Sequence, residues 1–211
     1  MNAAVAELTL QEGLSRLKLA LPLATQQKLL DYRALVQKWN KVYNLTAVRD
    51  ADKMLTHHLL DSLAVVPHVA SAETLLDVGS GAGLPGIPLA LALPQTQVTV
   101  LDSNSKKAAF LNQVVIELKL ANVQVICERV EKAQLNQMVS VVISRAFADL
   151  SLFVVQAGHL VAPGGTLLAM KGTNPLDEIA QLNGGFKVTA VTPLSVPGLD
   201  AERHLVFLKA A

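Results

Sequence analysis

The sequence predicts a doubly wound α/β fold with an N-terminal helical extension, and three observations predict it. From residue 73 onward, short apolar runs alternate with helix-patterned stretches. Within one sheet that alternation requires parallel strands joined by right-handed crossovers. The first run ends in an acid followed by alternating glycines, Asp77-Val78-Gly79-Ser80-Gly81-Ala82-Gly83. Ahead of it, apolar residues recur at spacings of three and four with charges between them, the pattern of amphipathic helices.

The extension covers residues 1–70. Leu14, Leu17 and Leu21 form one helical stripe, and Leu29, Leu30, Leu35, Val36 and Trp39 form a second. Pro22 separates them, and Thr25 is the expected N-cap of the second helix. A third helix starts near Asp50 and carries Met54, Leu55, His58, Leu59, Asp61 and Ser62 toward Pro67. Residues 71–211 form the α/β domain. Strands are expected at 75–78, 98–101, 123–127, 139–144 and 166–170, with helices at 85–93, 105–118 and 149–160. Pro163-Gly164-Gly165 reads as the turn before the fifth strand. Apolar stretches at 186–191 and 204–208, with no helix between them, read as an antiparallel pair. There is no internal repeat, and no linker long enough to release the extension from the domain.

Composition narrows the function classes. Half of the 211 residues are hydrophobic but only 4% are aromatic, so Leu, Val and Ala must fill the core. Eighteen basic residues face seventeen acidic ones, a net charge of +1 that excludes a polycation coating nucleic acid. The balance is uneven: residues 1–60 hold eight Lys/Arg against five acids, which leaves room for a local basic face. No uncharged apolar stretch reaches the roughly twenty residues of a membrane span, and no basic cluster precedes an apolar run at the N-terminus. Cys127 has no cysteine partner and is expected as a buried strand thiol. Together these features predict a cytoplasmic protein.

In an open parallel sheet a ligand lies beyond the carboxyl ends of the strands. The alternating glycines there let the backbone turn tightly and approach a ligand without Cβ interference. Asp77 either fixes loop amides or meets a cationic ligand group. Asp102, at the end of the next strand, either accepts both hydroxyls of a ribose or caps the following helix. The literal match Gly81-Ala82-Gly83-Leu84-Pro85-Gly86 to a dinucleotide fingerprint keeps an NAD-dependent oxidoreductase as an alternative. Two features oppose it: Gly79-Ser80 intervene after the strand, and Asp102 follows Gly86 by 16 residues where about 20 is usual. The acid-first form is the one S-adenosylmethionine-dependent methyltransferases use. His58 and Asp61 share a helical face as a satisfied buried pair or a substrate-side contact. No Cys/His cluster supplies a metal site, so no metal is expected.

Six segments together resemble one family, the bacterial small-subunit (16S) ribosomal RNA guanine-N7 methyltransferases, also called glucose-inhibited division protein B. They are Trp39-Asn40-Lys41-Val42-Tyr43-Asn44-Leu45-Thr46, His58-Leu59-Leu60-Asp61-Ser62, Asp77 to Pro88, Leu101-Asp102-Ser103, Ile143-Ser144-Arg145-Ala146-Phe147-Ala148 and Ala201-Glu202-Arg203-His204. The resemblance implies a Rossmann-like class I methyltransferase sheet of seven strands, the last antiparallel. It implies S-adenosyl-L-methionine as cofactor, bound by Gly79, Leu84, Val130, Glu131 and Arg145. Asp77, Gly81 and Gly83 belong to the same loop, and Asp102 matches the ribose-binding acid of the wider fold. Glu131 as a surface acid and Arg145 as a structural carboxylate anchor are the competing readings. Arg145 is the candidate catalytic residue, acting through charge and position.

The implied reaction is methyl transfer to N7 of a guanine in small-subunit rRNA. N7 carries a lone pair and no proton, so no general base is required. The expected partner is that RNA within a ribonucleoprotein particle. Arg33, Lys38, Lys41, Arg49, Lys53, Lys106 and Lys107 are candidate RNA contacts, and Lys171, before Gly172, is a candidate for RNA phosphate. A non-catalytic RNA-binding protein with a vestigial site remains an alternative, against which the intact Asp77, Gly79, Asp102 and Arg145 speak.

Overall fold

The computed structural model describes residues 3–145, 147, 149–183 and 185–211; Ala146 and Ala148 of the Ser-Arg-Ala-Phe-Ala segment lie outside the described residues. Seven strands form one sheet: β1 (Thr74–Val78), β2 (Gln97–Leu101), β3 (Val123–Ile126), β4 (Val139–Ser144), β5 (Val161–Lys171), β6 (Phe186–Pro193) and β7 (His204–Ala210). Their spatial order is β3-β2-β1-β4-β5-β7-β6. The first five strands are parallel, and β7 runs antiparallel between β5 and β6. The chain winds outward from β1 to β3, then returns to β4 on the other side of β1. That reversal opens a crevice beyond the carboxyl ends of β1 and β4, where Gly79 and Arg145 follow the strands.

The extension supplies α1 (Ala3–Arg16), α2 (Leu23–Tyr43) and a run through α3 (Ala51–Met54), a π-helical segment (Leu55–Leu60) and α4 (Asp61–Leu63), then α5 (Val66–Val69). Helices α6 (Gly86–Ala92), α7 (Ser105–Leu118), α8 (Leu150–Ala157) and α9 (Leu176–Ala180) belong to the α/β part. Side chains alternate across a strand, so Leu75 and Leu76 enter different cores. One core joins Leu75, Ile87, Val100 and Phe110 to Leu29, Leu59 and Leu63 of the extension. The other, beneath α8, joins Leu76, Val142, Phe153 and Leu167.

Three local expectations are corrected, and one element is additional. Helix α2 starts at Leu23 behind Pro22, not at Thr25, because the fixed φ of proline suits a helix entrance. The expected turn at Pro163-Gly164-Gly165 lies inside β5. A register slip between Val139 and Val141 and a positive φ of 79° at Gly164 absorb the irregularity as a bulge. Strand β3 ends at Ile126, so Cys127 falls past it and is exposed. Helix α9 has no expected counterpart; it is five residues long and buries none of them, so it leaves no apolar periodicity to read. Among the described residues no helix is long and apolar enough to cross a membrane.

Candidate active site

Asp77, the penultimate residue of β1, is fully buried. Its Oδ2 accepts hydrogen bonds from the Ser80 hydroxyl and, at 2.8 Å, from the Gly86 amide. The acid therefore pins both limbs of the glycine loop. Among the described residues its Oδ1 is buried without a partner, and burial lifts the carboxyl to about 6, against the opposing pull of Ser80, Gly86 and Arg145. The glycines divide their duties. Gly81, at φ +61°, has open space where a Cβ would stand, its nearest neighbour the Gly79 carbonyl at 3.9 Å. Gly83, at φ +95°, has none: a Cβ would meet Ile87 at 2.6 Å, Leu111 at 2.9 Å and the Tyr32 hydroxyl at 3.2 Å. From the extension, that hydroxyl donates to the Ala82 carbonyl at 2.6 Å and braces the loop from behind.

Asp102 also holds the loop. Its Oδ2 accepts from the Gly81 amide at 2.8 Å and its Oδ1 from the Asn104 amide at 2.9 Å. Helix α7 is capped by Asn104, whose side chain accepts from the amides of Lys106 and Lys107, so Asp102 is not the N-cap. Each carboxylate oxygen retains a second acceptor position. Beside it opens a cavity of about 490 Å³, lined among others by Gly79, Asp102, Ser103, Lys107, Val130 and Glu131. That volume lies within the roughly 300–1,000 Å³ of small-ligand sites. Of the residues expected at the cofactor, Gly79, Asp102, Val130 and Glu131 line this cavity. Asp77, in β1, and Gly81, Gly83 and Leu84, in the turn that follows the strand, are not among its lining.

Arg145 stands apart from that lining. Its Nη1 donates to the His57 carbonyl at 2.9 Å and to Asp61 Oδ2 at 3.1 Å, and Arg203 Nε donates to Asp61 Oδ1 at 2.9 Å. The three residues, with His57, Met170 and Lys171, line a second cavity of about 370 Å³. His58 and Asp61 are each partnered elsewhere: His58 Nε2 lies 2.9 Å from the Thr46 hydroxyl. Burial is the main cause that lowers the His58 imidazole to about 4. Asn40 accepts from the Thr46 amide and donates to the Val48 carbonyl, so the Trp39–Thr46 segment brackets the wall of this cavity. Lys171 donates to Glu178 at 2.7 Å and to the Phe147 carbonyl, partners that oppose its reading as a phosphate contact. Sequence reasoning missed Tyr32 and Glu178, and it held Asn40, Thr46 and Arg203 only as members of family-like segments, with no role assigned. The Tyr32 and Arg203 partnerships span 50 and 142 residues and leave no local signal, whereas those of Asn40 close a turn within eight residues.

Comparison with known proteins decides the family. Residues 25–206 match the family described as rRNA small subunit methyltransferase G. The ribosomal RNA small subunit methyltransferase G of Aromatoleum aromaticum is 55% identical, over 95% of this chain and 97% of its own. Its counterpart in Chromobacterium violaceum is 53% identical, over 93% and 94%. The chain belongs to the rRNA small subunit methyltransferase G family. Among solved structures, the glycopeptide N-methyltransferase MtfA, complexed with S-adenosyl-L-homocysteine, superposes with a TM-score of 0.61. It is 14% identical and covers 72% of this chain and 87% of its own. TrmN from Thermus thermophilus gives 0.57 at 15% identity, over 74% and 53%. These likenesses show the class I methyltransferase fold. Family membership supports neither the oxidoreductase nor the non-catalytic alternative. Among the described residues no group of three or more His, Cys, Asp or Glu could hold a metal ion.

Proposed function

We propose that the protein transfers a methyl group from S-adenosyl-L-methionine to N7 of a guanine in small-subunit ribosomal RNA. The observation that carries the reading is the glycine loop, tied by Asp77 and Asp102 beside a 490 Å³ cavity in a chain of this family. The donor set fits the cofactor. Gly79 and Gly81 expose main chain without a Cβ, and Asp102 has acceptor capacity for ribose hydroxyls. Val130 offers an apolar wall and Glu131 a further acceptor. When bound, S-adenosyl-L-methionine supplies a sulfonium-activated methyl group.

The residues then have little proton chemistry to perform, since N7 has no proton to lose. Their contribution is to orient the acceptor and exclude water, which favours a reaction that disperses charge from the donor. His58, held near 4, is neutral at neutral pH, and Asp77 is sealed inside the loop. Arg145, in the crevice between β1 and β4, acts by charge and position. Lys38, Lys41, Arg49, Lys53 and Lys106 are exposed and form the RNA-facing set; Arg33 is half-buried, and Lys107 lies 3.8 Å from Asp102. So small a net charge favours a folded ribonucleoprotein over naked RNA as substrate, and hence a cytoplasmic setting.

The test is chemical. Labelled methyl should enter small-subunit RNA, and mild reduction followed by aniline should cut that RNA at one guanine, because an N7-methylated ring weakens its glycosidic bond. Incorporation without an aniline-sensitive site would sink the N7 assignment, and transfer to protein alone would sink the RNA substrate.

A further inference from the structure

Asp61 sits in the extension with its side chain 1% exposed, yet it gives one oxygen to each of two arginines from distant parts of the fold. Arg145 follows β4 and Arg203 precedes β7, and their side chains are 27% and 23% exposed. The acid is thus interior, while the guanidiniums reach the 370 Å³ cavity. We propose that Asp61 is a positioning residue that sets Arg145 and Arg203 as a fork for a phosphate group of the substrate RNA. The proposal rests on the RNA methyltransferase reading and adds to it a site for the acceptor strand.

Charge supports the assignment. One carboxylate between two guanidiniums leaves a surplus of one positive charge. The other charged pair at this cavity, Lys171 with Glu178, cancels internally. The hydrogen bonds fall on Nη1 of Arg145 and on Nε and Nη1 of Arg203. Among the described residues the Nη2 donors of both have no hydrogen bond, and planar guanidinium edges suit phosphate oxygens. The extension fixes the geometry twice, since the π-helical segment presents the His57 carbonyl to Arg145 while Asp61 follows directly after it.

Position supports it as well. Ser144, adjacent to Arg145, donates its hydroxyl to the Val78 carbonyl at 2.7 Å, and Val78 lines the 490 Å³ cavity. The two cavities therefore flank the same pair of strand ends. A phosphate held by the fork places its nucleotide next to the methyl donor.

The experiment measures methyl transfer to small ribosomal subunits by wild type, Asp61→Asn and Arg203→Gln, over a series of salt concentrations. S-adenosyl-L-homocysteine affinity by calorimetry and thermal melting are followed in parallel. Both variants should lower kcat/KM for the subunits by roughly ten- to a hundredfold, as misplaced positioning groups do. The loss should sit mainly in KM, with unchanged affinity for S-adenosyl-L-homocysteine. In Arg203→Gln, which removes a cation of the fork, the salt dependence of log(kcat/KM) should become shallower by about 0.7–0.9 for the lost phosphate contact. An unchanged salt slope in Arg203→Gln, an unchanged KM for the subunits in Asp61→Asn, or a loss of cofactor affinity equal to the loss in KM overturns the proposal. If Asp61→Asn does not fold, Arg203→Gln decides by the same slope. Failure of the wild type to methylate small-subunit RNA overturns the functional reading itself, and it is seen before any variant is made.

Discussion

Gly83→Ala should destabilise the protein far more than Gly81→Ala, although both glycines lie in the same loop at positive φ. Placing an L-residue in the left-handed region costs about 1–2 kcal/mol, and both variants carry that cost. At Gly81 nothing more is added, because the new methyl finds no atom nearer than 3.9 Å. At Gly83 it lands 2.6 Å from Ile87 and 2.9 Å from Leu111, both in the core. Overpacking of that kind costs about 1–3 kcal/mol. Relaxing away from Tyr32, at 3.2 Å, would strain the hydroxyl bond that braces Ala82. The sum for Gly83→Ala is about 2–5 kcal/mol, a large part of the ~5–15 kcal/mol that holds most domains together. Urea unfolding with a constant m-value would measure both variants. Equal destabilisation of the two, or a Gly83→Ala protein within about 0.5 kcal/mol of wild type, the range of neutral surface changes, would refute the division of labour assigned to the loop.

The open side of Gly81 makes a second prediction: Gly81→Val should stay folded yet fail to bind S-adenosyl-L-homocysteine in calorimetry, and retained affinity would remove this face of the loop from the site. Asp102→Ala should weaken the same ligand by about 1.5–3 kcal/mol. An analogue lacking both ribose hydroxyls should lose less, and equal losses would leave Asp102 only its tether to Gly81. Asp77 titrates near 6 in the fold against 3.8 otherwise. It therefore favours the fold below pH ~4, and that contribution, on the order of 3 kcal/mol, is lost as pH rises through 6. His58 has the opposite sign: with its imidazole lowered from 6.5 to about 4, stability is present above pH ~6.5 and is lost, by a similar amount, as pH falls through 4. Stability differences from wild type, measured from pH 4 to 7, should slope in opposite directions for Asp77→Asn and His58→Gln; parallel slopes would contradict the burial assigned to one of them. Both groups titrate below pH 6.5, so the methylation rate at saturating substrates should be nearly flat from about pH 6.5 to 8.5, whereas a base-assisted acceptor gives a rising limb.

The sheet was legible because each of its signals is local. Apolar runs at Leu75, Val98, Val123 and Val139 mark strands by length, and the helix between Ser105 and Leu118 shows its own periodicity. The antiparallel last pair was legible as well, because residues 186–191 and 204–208 have no helix between them to serve as the crossover that parallel strands need. Register was less legible. Pro163-Gly164-Gly165 has turn chemistry, but pairing with β4 won, and a bulge accommodated the glycines. Cys127 was misplaced because a run of apolar residues does not say at which residue the strand leaves the sheet.

The site divides along the same line. Its expected cofactor side is encoded within about 55 residues, from Asp77 to Glu131, and each of the expected residues that line the 490 Å³ cavity follows a strand end. The opposite side is assembled across the chain. Asp61 from the extension meets Arg145 and Arg203, and Thr46 meets His58. A buried carboxylate is tolerated only with partners, so the observation that Asp61 is interior already demanded cations that spacing alone could not name. The extension thus has two duties that its amphipathic pattern conceals. Through Tyr32 it holds the back of the glycine loop, and through Asp61 it holds two arginines beyond the loop's far edge. A helical segment that only covered the sheet would need neither of these polar contacts, since Leu29, Leu59 and Leu63 already seal that face. Their presence makes the extension a part of the candidate site and not only a cover on its core.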